Sequence, residues 1–517
     1  MTRKTDHGVV IVGAGFSGMA AAIKLRRAGI DDFVILERAA DVGGVWRDNT
    51  YPGVAVDIPS FAYCYDFEPN PRWSRAYAPG RELLDYARHC ADRYQLRPRI
   101  RFHTEVTAAR FDEDAHHWAV ELADGSTVTA RYLVCSHGWF STAQHPTIPG
   151  LDDFTGPTVY TMAWDHQVKL AGKRVAVIGT GASALQLIPS IAPEVGSLTV
   201  YQRTPIWVLP KVDPELNPAV NATLRHLPLA NRSVRLATGA LAEVIVTLGA
   251  VHHGRAPFLF GALEQAARRH LRAQVPDPVL RERLTPAYGF GCKRPSFSNT
   301  YYPTFLRDDV ELVTDGIQRI TPTGIRTADG REREIDVLVL ATGFAVLDVP
   351  YDLHGSTGET LGQLWRRDRK HSYEGTTVHG YPNMFLIPGP YAVTGPSLFT
   401  TFDICATHAV RVIRAARRRG ATRVEISRRA QDRFMHVARR GAAGSVFFSP
   451  ACAGTSTYYI DEHGDAPFLR PTSGLSAWWA QHRFALDDYD FDFLNGGVEG
   501  RRPARVEAEA ALASGRG

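Results

Sequence analysis

Two glycine-rich turns, each set between an apolar run and a helix-like segment, constrain this chain more than any other feature in it. The first reads Val9-Val10-Ile11-Val12-Gly13-Ala14-Gly15-Phe16-Ser17-Gly18, and the second reads Arg174-Val175-Ala176-Val177-Ile178-Gly179-Thr180-Gly181-Ala182-Ser183-Ala184. In such a strand–turn–helix the first glycine permits the tight turn and the second lets backbone approach a pyrophosphate. The third position must stay small so that helix and strand can pack. Gly18 and Ala184 both meet that demand. The helix start adds unpaired N–H groups and a positive dipole end for the phosphates. The pattern predicts an α/β chain with two Rossmann-like dinucleotide-binding domains.

The residues that follow the two turns differ, and so do the cofactors they suit. Phe33-Val34-Ile35-Leu36 runs into Glu37-Arg38, an acidic residue placed to hold a ribose diol. Leu198-Thr199-Val200-Tyr201-Gln202 runs into Arg203-Thr204, where a cation fits a 2′-phosphate and selects NADP over NAD. One chain with both sites reads as FAD reduced by NADPH. The candidate FAD contacts are Gly13, Gly15, Phe16, Ser17, Gly18, Glu37, Arg38, Gly44, Val45, Trp46, Asp57, Tyr63 and Val106. Those for NADPH are Gly179, Thr180, Gly181, Ala182, Ser183, Arg203 and Thr204.

The chain has 517 residues, enough for two or three domains. We divide it into FAD-binding residues 1–145, NADP-binding residues 146–210 and a helical insertion at 211–286. NADP-binding residues 287–380, FAD-binding residues 381–500 and a flexible tail at 501–517 follow. The breaker-rich Gln144–Gly150 stretch reads as a linker. The ending Leu338-Val339-Leu340-Ala341-Thr342-Gly343-Phe344 resembles the strand and turn at which two-site flavoproteins pass back towards the flavin domain.

Composition narrows the class. A hydrophobic content of 44% with 22% charged residues is that of a globular protein, and a net charge of +5 with no basic–aromatic block gives no footing for nucleic acid. The six cysteines are scattered, without a Cys-x-x-Cys pair or a histidine at ligand spacing. They read as reduced thiols of a cytoplasmic protein, with no metal site and no disulfide framework. The apolar window Ala237–Val251 is shorter than the roughly 20 residues of a spanning helix and reads as a core helix, so no transmembrane segment is expected.

A third pattern names a chemistry. Gly43-Gly44-Val45-Trp46-Arg47-Asp48-Asn49-Thr50-Tyr51-Pro52-Gly53-Val54-Ala55-Val56-Asp57 resembles a fingerprint of the type I Baeyer–Villiger monooxygenases, class B flavin-dependent enzymes. Phe154, Gly156, Trp164 and Asp165 match a second fingerprint, with Tyr160 where that family usually has histidine. Gly291-Cys292-Lys293-Arg294-Pro295 resembles the stretch that holds the catalytic arginine. The resemblance spans nearly the whole chain. It implies an NADPH-dependent FAD monooxygenase that inserts one oxygen atom of O2 beside a carbonyl, turning a ketone into an ester or lactone through a peroxyflavin. Arg294 is then the fixed cation at the reacting centre and Asp57 the carboxylate that aims it, the two catalytic residues, and Lys293 joins the NADPH contacts at the 2′-phosphate. Small-molecule ketone and O2 are the expected partners, in a monomer or homodimer. The rival reading is a flavin monooxygenase that oxygenates soft nitrogen or sulfur and needs no such cation. A protein that binds both nucleotides without turnover is a more distant one.

Overall fold

The computed structural model describes residues 5–217, 223, 226–395 and 397–494. The expected tail at 501–517 lies outside them. Val9–Val12 forms a fully buried strand, paired in parallel with Phe33–Leu36 on one side and with Tyr132–Cys135 on the other. Its side chains alternate between two cores. Val9 and Ile11 pack with the helix Phe16–Arg27, and Val10 and Val12 pack with Phe111, Trp118 and Trp365. Burial on both faces explains why the run is apolar throughout rather than alternating. Eight strands make up this first sheet.

The second sheet has five strands, in the order 310–313, 197–201, 174–178, 337–340 and 158–160, all parallel. Val175 and Val177 face one core, Ala176 and Ile178 the other. Between its halves in the chain stand the helices Pro228–Val244, Pro257–Gln274 and Pro278–Arg283.

Two chain crossings join the sheets, and they pair with each other. The Gln144 N–H donates to the Gly343 carbonyl at 2.9 Å, and the Ala345 N–H donates to the Thr142 carbonyl at 3.0 Å. Thr342 Oγ1 closes the ladder on the Gln144 carbonyl at 2.7 Å. The chain then re-enters the first sheet early. Asp352–His354 pairs in parallel with Ala108–Arg110, upstream of residue 381 at which the return to the flavin domain is expected. Three residues bounded by an aspartate and a histidine carry no β-periodicity that sequence reading can catch.

Two expectations fail here. Ser233–Val251 is not a core helix: only 11% of its apolar window is buried. Helix periodicity finds the element, but tertiary placement decides which face meets the protein. Nor are all cysteines free. Cys292 and Cys452, 160 residues apart, form a disulfide inside a core with Trp207, Phe260 and Phe290. Distant pairing leaves no mark on local spacing. Cys64, Cys90, Cys135 and Cys405 are buried thiols.

Candidate active site

The first turn is built so that only glycine fits. Gly13 has φ 101°, and a Cβ added there would lie 2.6 Å from the Ser136 carbonyl oxygen. A Cβ on Gly18 would lie 1.9 Å from the Gly13 oxygen, the close helix–turn approach that a pyrophosphate cradle requires. The helix Phe16–Arg27 starts at Gly15 with no side-chain cap and no acid in its first turn. Its leading N–H groups are therefore free for a phosphate. Gly44 closes on the same turn, its Cβ position 3.2 Å from the Gly15 Cα. Buried Glu37 accepts from the Ala14 N–H at 2.8 Å, from the Ala39 N–H at 3.0 Å and from Arg47 Nη1 at 2.9 Å. Its carboxylate is thus held beside the turn, as a ribose contact needs.

The other first-site candidates divide. Trp46, in the short helix Val45–Asp48, donates its Nε1–H to the Tyr63 hydroxyl at 3.2 Å, so these two form one wall. Phe16 instead packs against Phe399, with ring centroids 4.6 Å apart, and Ser17 donates to the Ser136 carbonyl at 3.3 Å. Their side chains serve the core, which leaves their backbone for a ligand. Arg38 is half exposed and 4.0 Å from Asp48, and Val106 is buried in the first sheet.

The second turn repeats the design. Gly179 has φ 120° and a Cβ position 2.3 Å from the Ala341 oxygen. The helix Ala182–Ile191 starts at Gly181, again uncapped and without acid. Ser183 lies in its first turn, and a Cβ on Gly181 would meet nothing within 4 Å. Thr180 donates to the Thr204 carbonyl at 2.8 Å, tying the turn to the loop of Arg203. Arg203 is exposed, and Lys293 stands close enough to feel its charge. Burial, with that neighbouring cation, holds the Lys293 ammonium below the usual lysine range. Among the described residues neither has a carboxylate partner. Lys293 Nζ also lies 5.5 Å from the Tyr288 ring centroid, and two cations without a carboxylate partner are of the kind that suits a phosphate.

Arg294 and Asp57, 237 residues apart in the chain, meet in a two-pronged ion pair. Nε donates to Oδ2 at 2.6 Å and Nη2 to Oδ1 at 2.8 Å. The carboxylate raises the Arg294 guanidinium well above its ordinary value, so its positive charge is permanent. Arg294 still has N–H groups beyond the two engaged. Tyr63, Tyr458 and Tyr459 lie within electrostatic reach of it. A cavity of about 500 Å³ opens beside the pair, lined by Asp57, Ala182, Gln186 and Ser296.

Sequence reading missed several parts of this site. Gln186 accepts from the Tyr51 hydroxyl at 2.9 Å and from the Ala55 N–H at 3.2 Å, and donates to the Ala55 carbonyl at 2.9 Å. It clips the Asp57 segment onto the nucleotide helix, and Gly53 lets that segment pack against the Gln186 backbone. Tyr458 and Tyr459, joined hydroxyl to hydroxyl at 3.1 Å, carried no assigned role. Arg47, which pairs with Glu37, lay unremarked inside the quoted fingerprint. Tyr160 stands at the crossing between the sheets, its hydroxyl 3.3 Å from His145 Nδ1, so an imidazole reaches that position from the linker.

Comparison with known proteins places this geometry. Residues 10–252 match the family described as pyridine nucleotide-disulphide oxidoreductase. A Baeyer-Villiger monooxygenase of Streptomyces coelicolor is 37% identical over 509 residues, 98% of this chain and 95% of that protein. Among solved structures, an oxidized steroid monooxygenase bound to NADP superposes with TM-score 0.82 and 30% identity, covering 94% of this chain and 99% of that one. The complex of OTEMO with FAD and NADP gives TM-score 0.83 at 26% identity, covering 95% of this chain and 100% of the other.

Proposed function

This chain belongs to the Baeyer–Villiger monooxygenases, and on that footing we propose how its own residues divide the work. The enzyme is an NADPH- and FAD-dependent monooxygenase that places one oxygen atom of O2 beside a carbonyl carbon. Bound FAD, reduced by NADPH, supplies the activated oxygen. The Gly13–Gly18 turn and Glu37 hold the flavin nucleotide, while Arg203 and Lys293 take the 2′-phosphate of NADPH. The first sheet, rejoined at Asp352–His354, serves FAD, and the second sheet serves NADPH.

The observation that carries the assignment is the paired fork of Arg294 on Asp57. Attack on a ketone puts negative charge on its carbonyl oxygen, and a preorganised cation stabilises that charge most when it needs no reorientation. Asp57 uses two of the guanidinium N–H groups and thereby aims the rest. It also keeps a part-buried cation from being unpaired. Tyr63, Tyr458 and Tyr459 lie within electrostatic reach of the cation, and its guanidinium stays part-exposed, open to a substrate. The test is product analysis. Purified yellow protein given NADPH, O2 and a panel of cyclic, linear and aryl ketones is expected to form esters or lactones in step with NADPH consumed. Sulfoxide or N-oxide from thioether and amine controls, with no ester from any ketone, would overturn the reading.

A further inference from the structure

Surface helices of globular proteins turn their polar face outward, and the segment Pro228–Val251 does the reverse. Its α-helical part Pro228–Val244 continues as a π-helix through Ile245–Val251. The outward positions recur at helical spacing: Leu229, Leu236, Leu241 and Val244 are 76%, 73%, 65% and 50% exposed. Ser233, Ala237 and Ala240 fill the same face. Ser233–Val251 contains two ionised side chains, and both are tied to the protein. Arg235 donates to the Tyr65 carbonyl at 3.0 Å and to the Asp66 carboxylate, while Glu243 accepts from the Gly474 N–H at 2.6 Å. Among the described residues this is the one helix long and apolar enough to cross a bilayer. Its two polar ties fasten it along the protein surface, which is the geometry of a helix lying in the interface plane.

The helix Gly474–Arg483 continues the exposed apolar surface. It begins at the Glu243 contact and presents Leu475, Trp478 and Trp479, with the Arg483 guanidinium 4.8 Å from the Trp479 ring centroid. Tryptophan with a basic neighbour suits the headgroup layer. Charge then selects the occupant. Among the described residues Arg255, just past the helix, and Arg483 are exposed cations without a carboxylate partner, while Arg235 and Glu243 are both tied to the protein. A second copy would bring the same positive surplus to the contact, whereas anionic headgroups neutralise it. We propose that this face is a monotopic docking surface for an anionic lipid membrane, with the leucines at the acyl boundary and the helix parallel to the bilayer.

Vesicle sedimentation tests this with the FAD-loaded full chain. At low salt the protein is expected to pellet with phosphatidylcholine vesicles containing phosphatidylglycerol, and at least about tenfold more weakly with phosphatidylcholine alone. The variant Leu236→Asp/Leu241→Asp should lose vesicle binding by a similar factor while keeping its flavin absorbance, melting temperature and ketone-dependent NADPH oxidation. If that variant fails to hold flavin, Leu229→Asp with Trp479→Ser probes the same surface. Absence of sedimentation, or equal sedimentation with both vesicle types, overturns the proposal. So does a concentration-dependent dimer in vesicle-free solution that the double variant abolishes, since the face would then be a contact between copies.

Discussion

Arg294 is charged at any working pH, and Asp57 pairs and aims that charge, so each is half of a unit that neither forms alone. Arg294→Ala should leave NADPH able to bleach the flavin anaerobically while ester formation falls by roughly 10²–10³-fold, the loss usual for an oxyanion-stabilising donor. Stopped-flow absorbance and product chromatography on one sample read both halves, and normal ester yield would remove Arg294 from its role. Lys293 gives a second prediction. Its lowered pKa means that the ammonium is lost at a lower pH than in an ordinary lysine, so KM for NADPH should climb as the medium turns alkaline. KM for NADH, which lacks the 2′-phosphate, should stay flat over that range. Arg203→Ala should raise KM for NADPH about tenfold or more at neutral pH, since a charge-assisted contact contributes roughly 1.5–3 kcal/mol. Equal effects on both coenzymes would contradict the phosphate role. These residues were legible because each sits in a short stretch with its own pattern. Gln186 was not: a glutamine inside an apolar helix gives no hint that it clips a segment 131 residues earlier in the chain.

At the scale of elements, the buried strands and the two turn-to-helix units were readable because apolar runs and glycine spacing encode them directly. What escaped was placement. Asp352–His354 joins a sheet its sequence does not announce, and Pro228–Val251 shows solvent the face that periodicity would have buried. A related case is His408, in the helix Leu398–Arg419, which joins the helix Gly474–Arg483 and the strand Tyr489–Asp492. Its Nδ1–H donates to Gln481 Oε1, its Nε2 accepts from the Tyr489 hydroxyl, and its ring stacks on Phe484 with centroids 4.1 Å apart. Burial pushes its pKa down to about 3, so the folded protein keeps it neutral. In the unfolded chain it takes up a proton near pH 6.5. Between those values the unfolded state binds more protons, and stability falls as pH drops through 6.5 towards 3. By pH 5 this one site should cost about 2 kcal/mol. Denaturant melts at pH 7 and pH 5 measure it, and His408→Gln should flatten the difference by that amount. An unchanged slope would place the acid sensitivity elsewhere.

For the molecule as a whole, the site exists only because distant segments are held together. Asp57 comes from the first half of the chain, Arg294 from the stretch just after the helical insertion, and Tyr458 and Tyr459 from a later stretch that comes near them. The disulfide between Cys292 and Cys452 joins the second of these segments to the third, two residues from Arg294 and six from Tyr458. A cross-link over 160 residues limits the unfolded chain, and such bridges typically contribute about 2–4 kcal/mol. It also ties the turn of Arg294 to the segment of the tyrosines that stand near it. Cys452→Ser should therefore lower the melting temperature with the flavin still bound, and should raise NADPH consumed per ester formed as water gains access to the site. Peptide mapping without reductant should recover Cys292 joined to Cys452, with Cys64, Cys90, Cys135 and Cys405 alkylated only after unfolding. Six free thiols in the unfolded, unreduced protein would refute the bridge. Unaltered coupling in Cys452→Ser would show that packing around Trp207, Phe260 and Phe290 holds the Arg294 turn without it.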